Sequence, residues 1–293
     1  MVEITTFLQL MVAGITSGSI YGLVALAFTL TYTSTQVINF GQGEFVMLGA
    51  MLAVSLAVSL KFPVVGTILT IIVLVGLVGL LMEVILINPL YKKRANIISF
   101  IIGTMAIGLL LRDGSAMVWG KSQLFVPSIF SEEPIRIGGI TLMPQNVFIV
   151  LATATITLGL WLFLEKTLVG MGIRATAFNR MAASLIGIEV RRLIILTLII
   201  SSSVAGMAGY FFAPIISASA YMGLQLSIKG FIAAVIGGMG NPFAAMVGGI
   251  LLGVIEQLGA AYISSAYKDI ISFLVMLSVL MVKPNGLFST YDQ

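Results

Sequence analysis

Residues 64–88, VVGTILTIIVLVGLVGLLMEVILIN, form an apolar run with a single charge, Glu83. A helix needs about 20 such residues to cross the hydrocarbon of a bilayer. In lipid, each backbone polar group must be satisfied within its own segment, so the run reads as a membrane-crossing helix. A membrane barrel would instead alternate polar and apolar residues in units of about ten.

Similar runs fill the chain on either side: Phe7 to Thr31, a segment ending near Leu60, Ile97 to about Trp119, and Pro144 to about Glu165. Further on come Leu193 to Ala213, Phe243 to about Ile263, and Ile270 to Val282. A shorter apolar piece, 227–239, has only 13 residues and is read as a short, tilted or re-entrant element. The expected fold is an all-α polytopic bundle of about 8–9 transmembrane helices, one transmembrane domain over 1–293.

Composition agrees. Of 293 residues, 59% are hydrophobic and 9% charged, whereas soluble domains carry about 25% charged residues. The chain has neither Cys nor His, which removes thiolate nucleophiles, imidazole bases and His- or Cys-ligated metals from consideration. No convergent carboxylates suggest catalysis, so no catalytic residue, metal or cofactor is expected. The net charge of +4 is spread over short loops, which is a topology signal and not a nucleic-acid face.

Lys and Arg fix the expected orientation. Loop 91–94, segment 166–192 and Lys283 hold nine basic residues, while the opposite loops hold four, Lys61, Lys121, Arg136 and Lys268. The positive-inside rule places the first set in the cytoplasm, with the N-terminus outside and the C-terminus inside. The first helix, flanked only by Glu3, is read as retained. The outer loop, about 120–143, contains a hairpin around Gly138-Gly139.

Two Gly-bearing polar stretches interrupt the runs, Val37 to Phe45 and Gly237 to Pro242. A broken helix lined by amides can offer polar groups to a solute, and breaks in corresponding halves fit an inverted repeat. The alternative for the first is a capped turn at the surface. Candidate path residues are Ser17, Ser19, Tyr21, Asn39, Gln42 and Asn241. Arg112, Asp113 and Glu256 lie within membrane runs, where an ion needs a partner. Arg112 is expected to meet Asp113 or Glu256, and Glu83 and Lys229 to reach the interface. Small-residue stripes at spacing four, Gly14/Gly18/Gly22, Ser201/Ala205/Gly209 and Ala245/Gly249/Gly253, suit close helix approach. They serve either a dimer or pathway seam, or ordinary packing.

Residues 174–186 predict an amphipathic helix of three to four turns stopped by Gly187 as a left-handed cap. It reads either as an interfacial anchor or as a helix docked on a cytosolic partner, with Arg174, Phe178, Asn179, Arg180, Met181, Ala182, Ala183 and Gly187 at the contact.

Five stretches, INFGQGEFVMLGA (38–50), LLLRDGSAMVWG (109–120), RATAFNRMAASLIGIEVRR (174–192), AAVIGGMGNPFAAMVGGILLG (233–253) and SSAYKDIISFLVMLSVLMVKPNGL (264–287), resemble the LivH-type permeases of branched-chain amino acid ABC importers. Met181-Ala182-Ala183 and Gly187 match the family's coupling-helix pattern, with Met where Glu is usual. The resemblance implies a second, homologous (LivM-like) permease, two cytoplasmic ATP-binding subunits and a periplasmic or extracellular solute-binding protein, all at a bacterial or archaeal inner membrane. It also implies import of branched-chain or hydrophobic amino acids, or related small carboxylates or amides. The chain has no phosphate-binding loop of its own. The competing readings are an autonomous secondary transporter, which would need midplane titratable groups, and a membrane enzyme.

Overall fold

The computed structural model describes residues 2–288 apart from Ile129, Ser131, Glu132, Gly138 and Gly139. The chain runs α1 (Val2–Thr35), then α2 (Gln42–Ala53) with a π-helical continuation Val54–Ser59. Next, α3 (Val64–Met82) passes through a second π-helical turn, Glu83–Ile87, into α4 (Asn88–Lys92). After α5 (Ile97–Trp119) come strands β1 (Ile135–Ile137) and β2 (Ile140–Leu142), paired antiparallel where the sequence placed a hairpin. Its Gly138-Gly139 turn lies outside the described residues. The rest is α6 (Pro144–Lys166), α7 (Leu168–Phe178), α8 (Arg180–Leu185), α9 (Val190–Ile216), α10 (Met222–Gly237), α11 (Pro242–Tyr262) and α12 (Lys268–Val282).

Eight helical segments among the described residues are long and apolar enough to cross a membrane. A shorter apolar helix, α10, has 16 residues and spans about 24 Å at 1.5 Å each. It begins five residues earlier than 227–239. Ala218 in the link ahead of it exchanges backbone hydrogen bonds with Leu124 of the loop after α5. Beyond α10, the amides of Leu287 and Phe288 bond Ile236 and Gly237, tying its far end to the chain after α12. Pro214 does not stop α9, which continues to Ile216.

The halves run in opposite senses. A long helix, a non-helical link, a short helix and another long helix follow in turn as α1, 36–41, α2, α3, and again as α9, 217–221, α10, α11. Packing repeats too: α1 lies against α11 as α9 lies against α3, and α9 against α2 as α1 against α10. The sequence reading paired 36–41 with the wrong segment. Gly237 to Pro242 is only the tight connection between α10 and α11, with Gly238 at φ 120°; the true counterpart is 217–221, which has no glycine.

The small-residue stripes are seams inside the bundle. Gly14, Gly18 and Gly22 meet Val254, Ile250 and Met246 of α11, while Gly249 and Gly253 meet Gly22 and Gly18 in return. Gly49 of α2 lies on the backbone of Gly206, and Gly209 of α9 on that of Val46. Backbones approach this closely only where no Cβ intervenes, and in lipid such packing is a main source of helix association.

One cluster of ions is buried among α1, α10, α11 and α12. Lys229 is 4% exposed and Glu256 1%. Lys229 Nζ reaches Glu256 Oε2 (2.9 Å), Asp269 Oδ1 (2.7 Å) and Ser272 Oγ (2.9 Å). Glu256 Oε1 accepts from the Tyr21 hydroxyl (3.1 Å) and pairs with Lys268 (3.0 Å). Lys229 and Glu256 are buried as a pair, and the more exposed Asp269 and Lys268 complete the charge balance from the start of α12. Lys229 thus does not reach the interface, and neither does Glu83, also buried.

An Ala at Gly18 would place its Cβ 2.7 Å from the Ile250 Cα. Gly18→Ala is expected to lower thermal stability in detergent by about 1–3 kcal/mol. Gly159→Ala, where the space is open, should be neutral or slightly stabilising. Lys229→Met should cost about 3–5 kcal/mol by leaving buried carboxylate short of a cation. The Lys229→Met/Glu256→Leu pair should cost less than the sum of its single changes in the same melts.

Candidate functional site

The first helix break is a buried polar junction, not a surface turn. Asn39 Oδ1 accepts from the Gly41 amide (3.0 Å), and its Nδ2 donates to Gln42 Oε1 (3.4 Å). Gln42 Nε2 donates to the carbonyl (3.3 Å) and hydroxyl (3.1 Å) of Ser201, midway along α9. Ser201 Oγ donates to the Ala27 carbonyl (2.8 Å) and lies 2.7 Å from the Thr31 hydroxyl. These bonds satisfy backbone and amide groups that have left the helix, as burial requires.

The six proposed path residues do not share one surface. Asn39 and Gln42 are buried together at this junction, Ser19 is buried and Ser17 half-buried on α1, and Tyr21 belongs to the Lys229–Glu256 cluster. Asn241 caps α11 by accepting from the amides of Phe243 (2.9 Å) and Ala244 (3.3 Å). It alone of the six lines a cavity of about 1500 Å³ bounded by α1, α6, α7, α10 and α12. Arg112 pairs with its neighbour Asp113 (3.1 Å). It does not join Glu256, whose cations come from α10 and the start of α12.

At the rim of that cavity, the expected single helix 174–186 is two helices. Asn179, at φ −155° and ψ 105°, ends α7 and starts α8, where its side chain accepts from the Ala182 amide (3.0 Å). Asn in extended geometry is a strong N-cap, so this residue breaks what helical periodicity alone would join. Gly187 adopts φ +86°, the left-handed stop. Arg174 pairs with Glu165 (2.7 Å). Ala183 packs inward, Ala182 is exposed, and Phe178 (82% exposed) and Met181 (76%) project outward with Leu185 and Ile186.

Arg180 faces the other way. Its guanidinium donates to the Ser34 carbonyl and the Tyr91 hydroxyl (3.3 Å), and lies 5.1 Å over the Tyr91 ring. The Tyr91 hydroxyl donates to the Thr35 carbonyl. A cation on the last carbonyls of α1 suits that helix's negative end. Sequence reasoning missed Thr31 and Tyr91, and read Ser201 only as part of a small-residue stripe and not as a hydrogen-bond partner of Gln42. The run Ser201-Ser202-Ser203 inside an apolar span was the available signal, since hydroxyls there seek partners across helices.

A family model described as "Branched-chain amino acid transport system / permease component" matches residues 10–280. The chain is 32% identical to the high-affinity branched-chain amino acid transport system permease protein LivH of Salmonella typhimurium, over 96% of this chain and 95% of that protein. It is 31% identical to LivH of Escherichia coli K12 with the same coverage. It is 29% identical to the permease protein BraD of Pseudomonas aeruginosa, over 98% and 97%. Helix breaks held by internal polar bonds, a wide cavity at the basic end and an apolar knuckle beside it are thus features of a chain that belongs to the permease-component family of branched-chain amino acid transport systems.

Proposed function

We propose that this chain is one of two homologous permeases that together carry a branched-chain or other hydrophobic amino acid, or a related small carboxylate or amide, across the inner membrane. Separate ATPase subunits drive the movement, and an external binding protein selects the solute. The chain contributes no covalent chemistry. The nine basic residues of 91–94, 166–192 and Lys283 support a cytoplasmic placement for that end, with the N-terminus outside and the C-terminus inside.

The observation that carries this reading is the construction of α7–α8. Phe178, Met181, Leu185 and Ile186 leave an apolar knuckle exposed at the basic end, where a membrane protein's own core offers it nothing to pack on. Behind the knuckle, Arg180 is bonded to the Ser34 carbonyl in the last turn of α1. A partner that grips the knuckle therefore acts on α1, and through Thr31 and Ser201 on the junction at Gln42. Such a device converts a motion made elsewhere into rearrangement of the bundle. An autonomous secondary transporter has no use for it.

Met181→Asp should remove the ATPase subunits from the purified complex while the permease still folds. Arg180→Ala should keep those subunits and their ATP hydrolysis while uptake falls about tenfold, the scale of one charged hydrogen bond. Full uptake with Arg180→Ala would contradict the coupling route. Gln42→Ala should lower uptake with assembly intact, measured as initial rate in vesicles at matched complex content; wild-type uptake in that variant refutes its role.

A further inference from the structure

The two short helices meet at their N-terminal ends. Gly43, the second residue of α2, lies against the carbonyl of Gly223, the second residue of α10, and against Ser227. The meeting point is deep in the bundle, because Gly108, midway along α5, faces both Gly41 and Glu44 there. Neither helix is capped by a side chain at Gly41 or Tyr221. First-turn amides of a helix are unpaired donors at its positive end and take anions readily.

Glu44 sits in this junction. It is 7% exposed, its carboxylate lies over Gly223 of α10, and its Oε2 has no hydrogen-bond partner in the chain. Beside it, Arg112 of α5 holds its guanidinium 5.6 Å from the ring of Tyr221, the residue from which α10 starts. Arg112 also pairs with Asp113 (3.1 Å), the next residue of α5. Tyr221, just ahead of α10, and Leu224 in its first turn are exposed on the isolated chain.

A buried carboxylate oxygen without a donor is costly, and a cation supplied by a ligand removes that cost. Next to it are the first-turn amides of α10 beyond Met222, whose own amide bonds Ser219, and the guanidinium of Arg112, which keeps N–H donors for an anion besides the one on Asp113. A cation-seeking and an anion-seeking feature side by side suit a zwitterion. Urea or a simple amide would satisfy neither, and a carboxylate lacking an ammonium would meet the charge of Glu44. Discontinuous helices meeting at mid-depth are a recurrent place for such substrate sites in transporters.

We propose that the α2–α10 junction is a transit site for the α-ammonium and α-carboxylate of an amino acid, with Glu44 receiving the ammonium and Arg112 with the α10 amides receiving the carboxylate. This rests on the reading of the chain as an amino acid importer permease, and narrows its cargo to zwitterions.

The test uses the complete complex in vesicles with its binding protein and ATPases. Glu44→Gln should cut initial leucine uptake about tenfold or more, and Glu44→Asp should restore an intermediate rate. ATP hydrolysis stimulated by loaded binding protein should stay within about twofold of wild type, a split that a packing defect would not produce. Arg112→Gln, at a partly exposed side chain, should lower uptake in the same way. It decides the matter if Glu44→Gln does not assemble. Wild-type leucine uptake in either assembled variant, or equal loss of uptake and ATP hydrolysis, overturns the proposal. A wild-type complex that imports amides but no amino acid would overturn the functional reading itself.

Discussion

Backbone that leaves a helix inside hydrocarbon must find its hydrogen-bond partners in protein. This chain does so twice, at 36–41 and 217–221, and the rest of the structure follows from that demand. At the first break the partners are local and polar, Asn39 and Gln42, completed by Ser201 from the opposite half. At the second the partner is backbone, Leu124 from the loop after α5. Neither break could stand in an isolated half, so the two repeats must interlock before either is satisfied. The glycine seams permit this. With Gly43 on Gly223 and Gly49 on Gly206, helices approach until breaks in one half reach groups in the other.

The long helices were legible because length and hydropathy are enough to define a crossing. The left-handed stop at Gly187 and the strands flanking Gly138-Gly139 were legible because their chemistry is local. What escaped was directional. Lys229 looked like a helix-end residue because hydropathy does not say which face of α10 turns toward Glu256, 27 positions away. The break at 217–221 lacks the glycines that mark a break in sequence, since its stability comes from a strand-like bridge to a distant loop. The glycine-rich 237–242 carried the expected signature and proved an ordinary connection. Asn179 was read as one more residue of a helix face, although a capping residue within an amphipathic stretch can divide it.

The repeats are also unequal in charge. Glu83, just past α3, and Glu256 of α11 each follow a seam glycine, Gly76 and Gly249, by seven positions. Glu256 receives Lys229, Lys268 and Tyr21. The corresponding stretch of α2 holds no lysine, only Gly49 and its apolar neighbours. One half is therefore clamped by a balanced ion cluster that gathers α1, α10, α11 and α12, while the other relies on packing and hydroxyl bonds. Separating ions in a low-dielectric site is far harder than sliding small residues past one another.

That inequality fixes which elements move together. α1 is tied to the ion cluster by Tyr21, to α11 by the glycine seam, and to α8 by the carbonyl of Ser34. A displacement of α8 is applied to a rod already fastened to the clamped half. The contacts left to yield are those across the junction of α2 with α9 and α10, where Gln42 meets Ser201 and Gly43 meets Gly223. In the proposed importer, force entering at α8 would reach the place where two helix ends and a buried carboxylate converge, because everything between them is held more tightly than that junction.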